Sequence, residues 1–233
     1  MKLRTPRLSL EPVTLDDVDD WHDLDQQPGV LDFLPGDPRS RDQVADSIRR
    51  ATVISQLHHD YGFFTARLVD DGCFVGWFHL RPGPDGDIFN PELGYRLRPE
   101  RWGQGLATEG SRALVDAAFN GLGAASVVAE TLRENLSSRR VMIKLGMTLT
   151  GDGADEVVRY RIRMTDWLDA HIDVRTLLHG LQATAVKQAD RDQLDRLRSV
   201  GMAMARAERD GHRASDDFLA ALAGQFGVEF PGQ

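Results

Sequence analysis

Two glycines that precede a helical segment are the residues in this chain with the clearest chemical use. Gly103 and Gly105 lie one residue apart, between an alternating run that ends at Pro99 and an apolar-periodic segment that begins at Leu106. Because glycine lacks a Cβ atom, the backbone there can approach an anion closely. The first N–H groups of the following helix have no partner within the helix, and the helix dipole adds partial positive charge. The spacing therefore predicts a cradle for a phosphate group.

The same spacing also occurs in ordinary strand-to-helix connections, so the turn alone does not establish a binding site. Two familiar nucleotide motifs are excluded. The third glycine of a dinucleotide-binding turn falls on Thr108, and no Gly-Lys-Ser or Gly-Lys-Thr follows as in a P-loop. We therefore do not expect the phosphate of a dinucleotide, or of ATP in a Walker loop.

The residues on both sides of the turn make the motif specific. Glu-Leu-Gly-Tyr-Arg-Leu-Arg-Pro begins at Glu92, and Trp-Gly-Gln-Gly-Leu-Ala-Thr-Glu-Gly begins at Trp102. Together they resemble the acyl-CoA-binding motif of the GNAT superfamily of N-acetyltransferases, and most of all its RimJ/RimL branch of ribosomal-protein alanine N-acetyltransferases. Two further blocks resemble the family in the expected order, the opening strand and helix from Leu3 and an Asn-x-x-Ser block from Asn135. The resemblance covers residues 3 to about 167.

The resemblance implies an acyl-CoA-dependent N-acyltransferase that uses acetyl-CoA as co-substrate. The acetyl group would pass to a primary amine, on a protein N-terminus or a small molecule. Transfer would be direct, within a ternary complex, because no suitable covalent nucleophile is found. Pantetheine would lie along Leu97 and Arg98, and Asn135 would bond its amides. The implied donor site consists of Leu97, Arg98, Trp102, Gly103, Gln104, Gly105, Leu106, Ala107, Thr108 and Asn135.

Two carboxylates are candidates for the base that takes a proton from the amine. Glu92 heads the Leu-Gly-Tyr run, and Glu130 lies five residues before Asn135, where the resemblance places the base of related N-terminal acetyltransferases. Both are expected on adjacent strands, so either could act directly or through a water molecule. For each, the alternative is a strand-end carboxylate that only faces solvent. The sequence does not choose between them.

Proton return to the departing thiolate is where this sequence differs from one common family pattern. Many relatives carry a tyrosine on the helix after the asparagine, and the aligned position here is Met142, which cannot donate a proton. Ser138 takes the Asn-x-x-Ser position, where a hydroxyl can relay a proton or stabilise charge. Tyr160 is a further candidate donor, although a tyrosine on the last strand is more often part of the core. For Asn135 the alternative role is a helix N-cap.

Two alternatives to acetyl transfer stay open at this stage. The same fold could use succinyl-CoA or another acyl donor, and an arginine at the acyl end, such as Arg96, would favour an acidic acyl group. The chain could instead bind acyl-CoA as a low-turnover sensor or interaction protein. Retention of Glu92, Glu130, Asn135 and Ser138 together favours the enzyme.

An α+β framework must position these side chains. The patterns predict strands at about 7–13, 62–69, 74–80, 92–97, 126–132 and 157–164, and helices from about 15, at 41–57, from 106 to about 120 and at 137–145. This order matches the GNAT acyl-CoA N-acyltransferase fold that the resemblance implies. In that fold a mixed, mostly antiparallel sheet is splayed at its central strands and carries helices on both faces. Pantetheine would occupy the gap between the strands at 92–97 and 126–132, and an N–H on the first would serve the oxyanion.

The end of the chain follows a different pattern. We predict a catalytic domain at residues 1–167 and a helical C-terminal extension at 168–233, with helices at Thr176–Lys187, Arg191–Asp210 and Asp216–Gly224. The extension either packs on the catalytic domain or a second subunit, or forms a recognition or regulatory module. A homodimer or a partner contact, if one forms, would use these helices, and the sequence leaves the oligomeric state open.

Composition restricts the other partners. The formal net charge of −8 argues against nucleic acid as a main ligand. The single Cys73 excludes an internal disulfide, and the seven histidines show no metal-ligand spacing, so no metal is expected. No stretch approaches about 18 apolar residues, and no apolar leader is present at the N-terminus. We therefore expect a cytoplasmic protein that does not bind a membrane.

Overall fold

The central feature of the fold is a mixed sheet whose two middle strands run parallel. The computed structural model describes residues 1–34, 36–57, 61–83, 86–151 and 156–171, and within them eight strands form one sheet in the order β1-β2-β3-β4-β5-β6-β8-β7. All neighbours are antiparallel except β5 and β6. The strands are β1 Leu3–Arg4, β2 Leu8–Pro12, β3 Gly62–Leu68, β4 Phe74–Arg81, β5 Glu92–Leu97, β6 Ser126–Leu132, β7 Thr148–Thr150 and β8 Val157–Arg163.

The parallel pair β5–β6 meets only at its base. Its one register pair joins Glu92 to Val128, and the Val128 N–H donates to the Pro91 carbonyl at 2.9 Å. The hydroxyl of Ser126 also bonds the side chain of Asn90, which ties the segment before β5 to the start of β6. Beyond this base the strands separate toward Leu97 and Leu132. The predicted splay of the central strands is confirmed.

Helices cover both faces of this sheet. They are α1 Val18–Asp25, α2 Arg41–Leu57, α3 Leu106–Gly121 and α4 Leu136–Lys144; a further helix, α5 Met164–His171, follows β8 in the chain. Buried residues of α1 and α2 form one cluster with Trp77 of β4, and Trp21 of α1 stacks on Trp77 with ring centroids 5.1 Å apart. On the other face α3 lies against Phe78, so closely that a Cβ atom at Gly110 would come within 2.5 Å of the Phe78 ring. Helices on both faces agree with the predicted fold class.

Three local features differ from the sequence prediction. The first helix begins with a 3-10 turn, Leu15–Asp17, and becomes α-helical at Val18. The backbone N–H of Thr14 donates to the Asp17 carboxylate at 2.9 Å, and this bond fixes the tight first turn. The strands β1 and β7 have two and three residues, too few to produce an alternating pattern.

The chain divides into two units, Met1–Met164 and Thr165–Gln233. The first unit contains every residue predicted for the donor site and for proton transfer. The three predicted helices of the C-terminal extension lie outside the described residues, and the domain boundary at residue 167 stays a prediction.

Candidate active site

The cradle between β5 and α3 has the backbone geometry that its glycines predict. Gly103 and Gly105 have φ values of 74° and 79°, in the left-handed region that favours glycine. Gly105 is the N-cap of α3, and no side-chain cap is present there among the described residues. The first-turn N–H groups, including those of Ala107 and Thr108, therefore have no capping side chain, and they lie at the positive end of the helix dipole. Because the side chain of Leu106 is buried, that residue offers its backbone alone.

Side chains beside the cradle are held by backbone carbonyls. Trp102 Nε1 donates to the Leu97 carbonyl at 2.8 Å, and Gln104 Nε2 donates to the Glu100 carbonyl at 2.7 Å. The Trp102 side chain is 49% exposed, and its ring lies 3.2 Å from the position of a Cβ atom built on Gly29. These bonds fix the turn between β5 and α3 from both sides.

Two arginines of β5 and the turn after it are already paired with carboxylates. Arg98 forms ion pairs with Asp23 at 2.7 Å and with Glu100 at 2.5 Å. Arg96 is largely buried and forms an ion pair with the fully buried carboxylate of Asp25 on α1. Arg98 is thus compensated by two carboxylates, whereas the single carboxylate of Asp25 is shared between Arg96 and Arg39.

Backbone N–H groups of β5 line the gap between the central strands. The Arg98 N–H donates to the Val75 carbonyl at 2.9 Å, toward β4. Because N–H directions alternate along an antiparallel strand, those of Tyr95 and Leu97 point to the opposite side, toward β6. Both residues lie beyond the register pair at the base of the β5–β6 gap. Their N–H groups can therefore donate hydrogen bonds to a ligand that enters the gap as an additional strand.

Tyr95 and Ser138 bring two hydroxyls together on the α3–α4 face of the sheet. Tyr95 Oη donates to Ser138 Oγ at 3.2 Å, and the Tyr95 ring packs on its cross-strand neighbour Phe78 with centroids 5.9 Å apart. The Ser138 N–H donates to Asn135 Oδ1 at 3.0 Å, so Asn135 is the N-cap of α4. Burial raises the pKa of Tyr95 to about 12, although the bond to Ser138 opposes the rise. The tyrosine therefore stays protonated at neutral pH. Met142, four residues after Ser138 on α4, is buried.

Glu92 lies on the opposite face, where the charge of its carboxylate is balanced by Arg81 of the neighbouring strand β4. Its carboxylate accepts two hydrogen bonds from Arg81 Nη2, at 2.9 and 3.0 Å, and His79 Nε2 stands 3.6 Å from Oε1, beyond hydrogen-bond distance. Burial alone would raise the pKa of Glu92, but the neighbouring His79 and Arg81 outweigh it and lower the pKa to about 2. At neutral pH the carboxylate is ionised and only weakly basic.

His79 is packed on the backbone of β5. His79 and Gly94 are cross-strand partners. A Cβ atom at Gly94 would come within 2.4 Å of the His79 ring, so position 94 requires glycine. The ring lies 5.9 Å from Trp77 in a stacked arrangement. Burial lowers the pKa of His79. Neither ring nitrogen has a hydrogen-bond partner among the described residues.

Glu130 lies past the point where β5 and β6 separate. Its carboxylate pairs with Arg159 across β6 and β8, and it is more exposed than Glu92, at 34% against 21% for the side chains. Side chains two residues apart on a strand share a face, and so do register partners, so Glu130 is on the same face as Glu92. Tyr160 lies on the other face, where its hydroxyl accepts a hydrogen bond from Arg139 Nε of α4 at 3.1 Å.

The two faces of the sheet thus carry different chemistry around one gap. Carboxylates lie on the α1–α2 face, and the paired hydroxyls of Tyr95 and Ser138 lie on the α3–α4 face. The gap between β5 and β6 separates these two sets of side chains, and the cradle lies at the start of α3, the helix that packs on the face of Phe78. Such an arrangement can remove a proton on one side of a bound acyl group and return it on the other.

Two side-chain contacts of the candidate site were not predicted from the sequence: the bond from Tyr95 to Ser138 and the pair formed by Arg7 and Glu109. Tyr95 belongs to the Leu-Gly-Tyr motif, but its partner Ser138 is 43 residues away. Arg7 and Glu109 are 102 residues apart and meet through two hydrogen bonds. Separation of this kind leaves no local pattern. The signal that was available was the presence of a tyrosine on the strand next to the cradle.

In the described ranges, no group of three His, Cys, Asp or Glu residues could hold a metal ion. None of the helices described is long and apolar enough to cross a membrane.

Comparison with known proteins places this geometry among acetyltransferases. Residues 7–148 match the family model described as an acetyltransferase (GNAT) domain. A relative in Aspergillus fumigatus, named FsC-acetyl coenzyme A-N(2)-transacetylase, is 34% identical over 186 residues, which are 71% of this chain and 77% of that protein.

Solved structures share the architecture. An acetyltransferase of the GNAT family from Bacillus anthracis aligns with a TM-score of 0.62 at 19% identity, over 71% of this chain and 99% of that chain. An acetyltransferase from Agrobacterium tumefaciens aligns with a TM-score of 0.60 at 26% identity, over 70% and 94%. RimL, an acetyltransferase solved in complex with coenzyme A, aligns with a TM-score of 0.62 at 16% identity, over 70% and 98%, a likeness that bears on the fold alone.

Proposed function

The chain belongs to the GNAT acetyltransferase family, and from this premise we propose that it acetylates a primary amine by direct transfer from acetyl-CoA in a ternary complex. The acceptor is the amine of a protein N-terminus or of a small molecule. The observation that carries the proposal is the gap between β5 and β6 together with the uncapped start of α3, since Trp102 ties the turn before α3 to the end of β5. A long donor with an anionic end and a peptide-like arm fits these two features together.

In this proposal the donor is held mainly by backbone groups. The diphosphate binds the N–H groups of the turn from Trp102 to Thr108, and the pantetheine arm extends β5 beside Leu97. The Tyr95 N–H, the first to face the gap beyond its base, is the donor for the oxyanion. An oxyanion donor of this kind contributes about 3 kcal/mol in other acyl-transfer enzymes.

We assign proton removal to Glu130 and proton return to the hydroxyl pair. A general base is most effective when its pKa lies near the working pH, and the pKa of Glu92 at about 2 makes that carboxylate a poor acceptor. Glu92 instead forms a fixed ion pair with Arg81 on the α1–α2 face, where the acceptor binds in this proposal. Ser138 passes its proton to the departing thiolate as it takes one from Tyr95, and the Tyr95 phenolate is then reprotonated from solvent. Tyr95 in this way takes the place of the tyrosine missing at Met142.

Two rival functions have less support. Membership of an enzyme family leaves the low-turnover sensor without support. A preference for succinyl-CoA would need a positive charge directed at the acyl end, and the Arg96 guanidinium is directed to Asp25 instead. The assignment to the RimJ/RimL branch stays a prediction, because the likeness to RimL at 16% identity concerns the fold.

Initial-rate kinetics with varied acetyl-CoA and varied acceptor test this function. The acceptor panel contains short peptides with free N-termini and small primary amines. Direct transfer predicts intersecting double-reciprocal lines, whereas a covalent acetyl-enzyme predicts parallel ones. Absence of turnover with every acceptor, together with absence of acetyl-CoA hydrolysis and binding, would refute the proposal.

The pH dependence of a Glu130→Gln variant tests the base. Loss of a general base lowers kcat/KM by about 100-fold at neutral pH, and the deficit shrinks at a pH where the acceptor is already deprotonated. Glu134→Gln, an exposed carboxylate in the turn after β6, is the matched control. A deficit for Glu130→Gln that stays constant with pH would assign the residue to binding instead.

A further inference from the structure

Arg7 joins the N-terminal strands to the start of α3. Its N–H and Nε donate to the Glu109 carboxylate at 2.9 and 2.6 Å, and Thr5 Oγ1 donates to the same carboxylate at 2.6 Å. Its Nη1 also donates to the Gln104 carbonyl at 2.9 Å, and its Nη2 lies 3.6 Å from the position of a Cβ atom built on Gly105. One guanidinium thus contacts both the turn and the helix that form the cradle.

Glu109 creates an electrostatic difficulty at this place. It lies in the first turn of α3, at the end of the helix that receives an anion, and its side chain is only 16% exposed. A carboxylate there is stabilised by the helix dipole but opposes a second negative charge. Burial tends to raise the pKa of Glu109, but the hydrogen bonds from Thr5 and Arg7 outweigh it and lower the pKa, so the group is ionised at neutral pH. Arg7 supplies the compensating positive charge.

Arg7 also fixes the direction of one peptide group. In a trans peptide the C=O and the N–H point in opposite directions. Because the Gln104 carbonyl is directed to Arg7, the N–H of Gly105 in the same peptide points away from Arg7. The left-handed conformation of Gly105 continues this arrangement into α3. Without Arg7 the peptide could turn over and present its carbonyl oxygen, which repels a phosphate.

We propose that Arg7 is a positioning residue for the diphosphate of the acyl donor, because it orients the Gln104–Gly105 peptide and neutralises Glu109. This inference rests on the proposed donor site. Arg7 acts through the Gln104–Gly105 peptide and the Glu109 carboxylate. Its loss therefore weakens the use of donors that carry a diphosphate and leaves donors without one unaffected.

Steady-state kinetics with two donors, acetyl-CoA and S-acetylpantetheine, test the proposal in the full chain. For Arg7→Gln we expect KM for acetyl-CoA to rise about tenfold or more, because loss of one charge-assisted hydrogen bond weakens binding by about that factor. The value of kcat should change by less than about twofold. With S-acetylpantetheine, which has no diphosphate, kcat/KM stays within about twofold of the parent. Equal losses with both donors would overturn the proposal, because they indicate general damage to the fold.

Charge compensation is tested by the double variant. If Arg7 neutralises Glu109, then Arg7→Gln with Glu109→Gln binds acetyl-CoA at least about threefold better than Arg7→Gln alone. Arg7→Lys, which keeps the charge, recovers part of the affinity and keeps the test informative if Arg7→Gln folds poorly. A double variant no better than the single one would overturn the charge role.

Controls separate this proposal from the proposed function. Lys2→Gln removes an exposed ion pair between the residue before β1 and Glu11 of β2, and should leave both donors unaffected. If the parent protein neither binds nor uses acetyl-CoA, the proposed function fails and this inference with it. If the parent uses acetyl-CoA and Arg7→Gln has the same KM, only the inference on Arg7 is wrong.

Discussion

Tyr95 and Ser138 come from different elements, and their contact changes what each can do. A serine hydroxyl is a poor acid on its own, but here it accepts a hydrogen bond from Tyr95 at 3.2 Å and is free to donate its own hydrogen. Tyr95 is held neutral because burial raises its pKa to about 12. The pair can therefore deliver a hydrogen bond to a thiolate through Ser138 while Tyr95 supports the serine.

We expect Tyr95→Phe and Ser138→Ala each to lower kcat by about 100-fold and the double variant to be little worse than either one. Phenylalanine keeps the ring contact with Phe78, so the free energy of unfolding should fall by only about 1 kcal/mol. Stopped-time assays of CoA release at saturating substrate measure the rate. Tyr61→Phe, which removes a different hydroxyl bond, is the matched control. Independent, additive losses would show that the two hydroxyls do not act as a relay.

Glu92 has a measurable consequence at low pH. Its pKa is lowered from 4.5 to about 2 in the folded protein, so its contribution to stability is present above pH 4.5 and is lost as the pH falls through about 2. For the parent, we expect the free energy of unfolding to fall across this window by up to about 3 kcal/mol more than for Glu92→Gln. Urea denaturation at several pH values measures both.

Activity should respond differently from stability in the same variant. Because Glu92 stays ionised above pH 4.5, it cannot produce a titration of kcat/KM near neutral pH. Glu92→Gln should therefore lower kcat/KM without moving its apparent pKa values. A shifted acidic limb would show that Glu92 itself exchanges the proton, and the assignment to Glu130 would be wrong.

At the level of elements, the turn between β5 and α3 can be tested with a matched pair of glycines. Gly105 has φ of +79°, and Gly72, in the β3–β4 hairpin, has φ of +72°; a Cβ atom meets no backbone atom within 4 Å at either. Alanine should cost about 1 kcal/mol of stability at each position. Only Gly105→Ala should weaken acetyl-CoA binding, which isothermal titration measures. Equal effects on binding would remove the cradle from the donor site.

The sequence predicts elements well where one local pattern defines them. The cradle follows from two glycines and a helix start, and the splay follows from a resemblance over adjacent residues. Two contacts could not be predicted in this way. The bond from Tyr95 to Ser138 depends on how α4 packs over β5, and the bond from Arg7 to Glu109 depends on where β2 lies beside α3. Both are set by tertiary packing, which leaves no periodic signal.

On the scale of the whole molecule, acidic residues exceed basic ones by 36 to 28. Several arginines near the described site are paired with carboxylates, Arg81 with Glu92 and Arg159 with Glu130, while Arg96 and Arg39 share Asp25. A donor that carries several negative charges is therefore best held by backbone N–H groups and a helix dipole, which need no unpaired cation. The same pairing bears on the choice of acyl group.

An acidic acyl group is disfavoured as long as Asp25 holds Arg96. We expect acetyl-CoA to raise the melting temperature of the parent more than succinyl-CoA at equal concentration, since a ligand at about 100 times its Kd adds about 2.7 kcal/mol. Asp25→Asn releases both Arg96 and Arg39 and should narrow or reverse that order, although loss of a buried carboxylate lowers the melting temperature of the free protein. Asp19→Asn, an exposed position on the same helix, is the control. A parent that prefers succinyl-CoA would show that the ion pair opens when the donor binds, and the acetyl assignment would then fall.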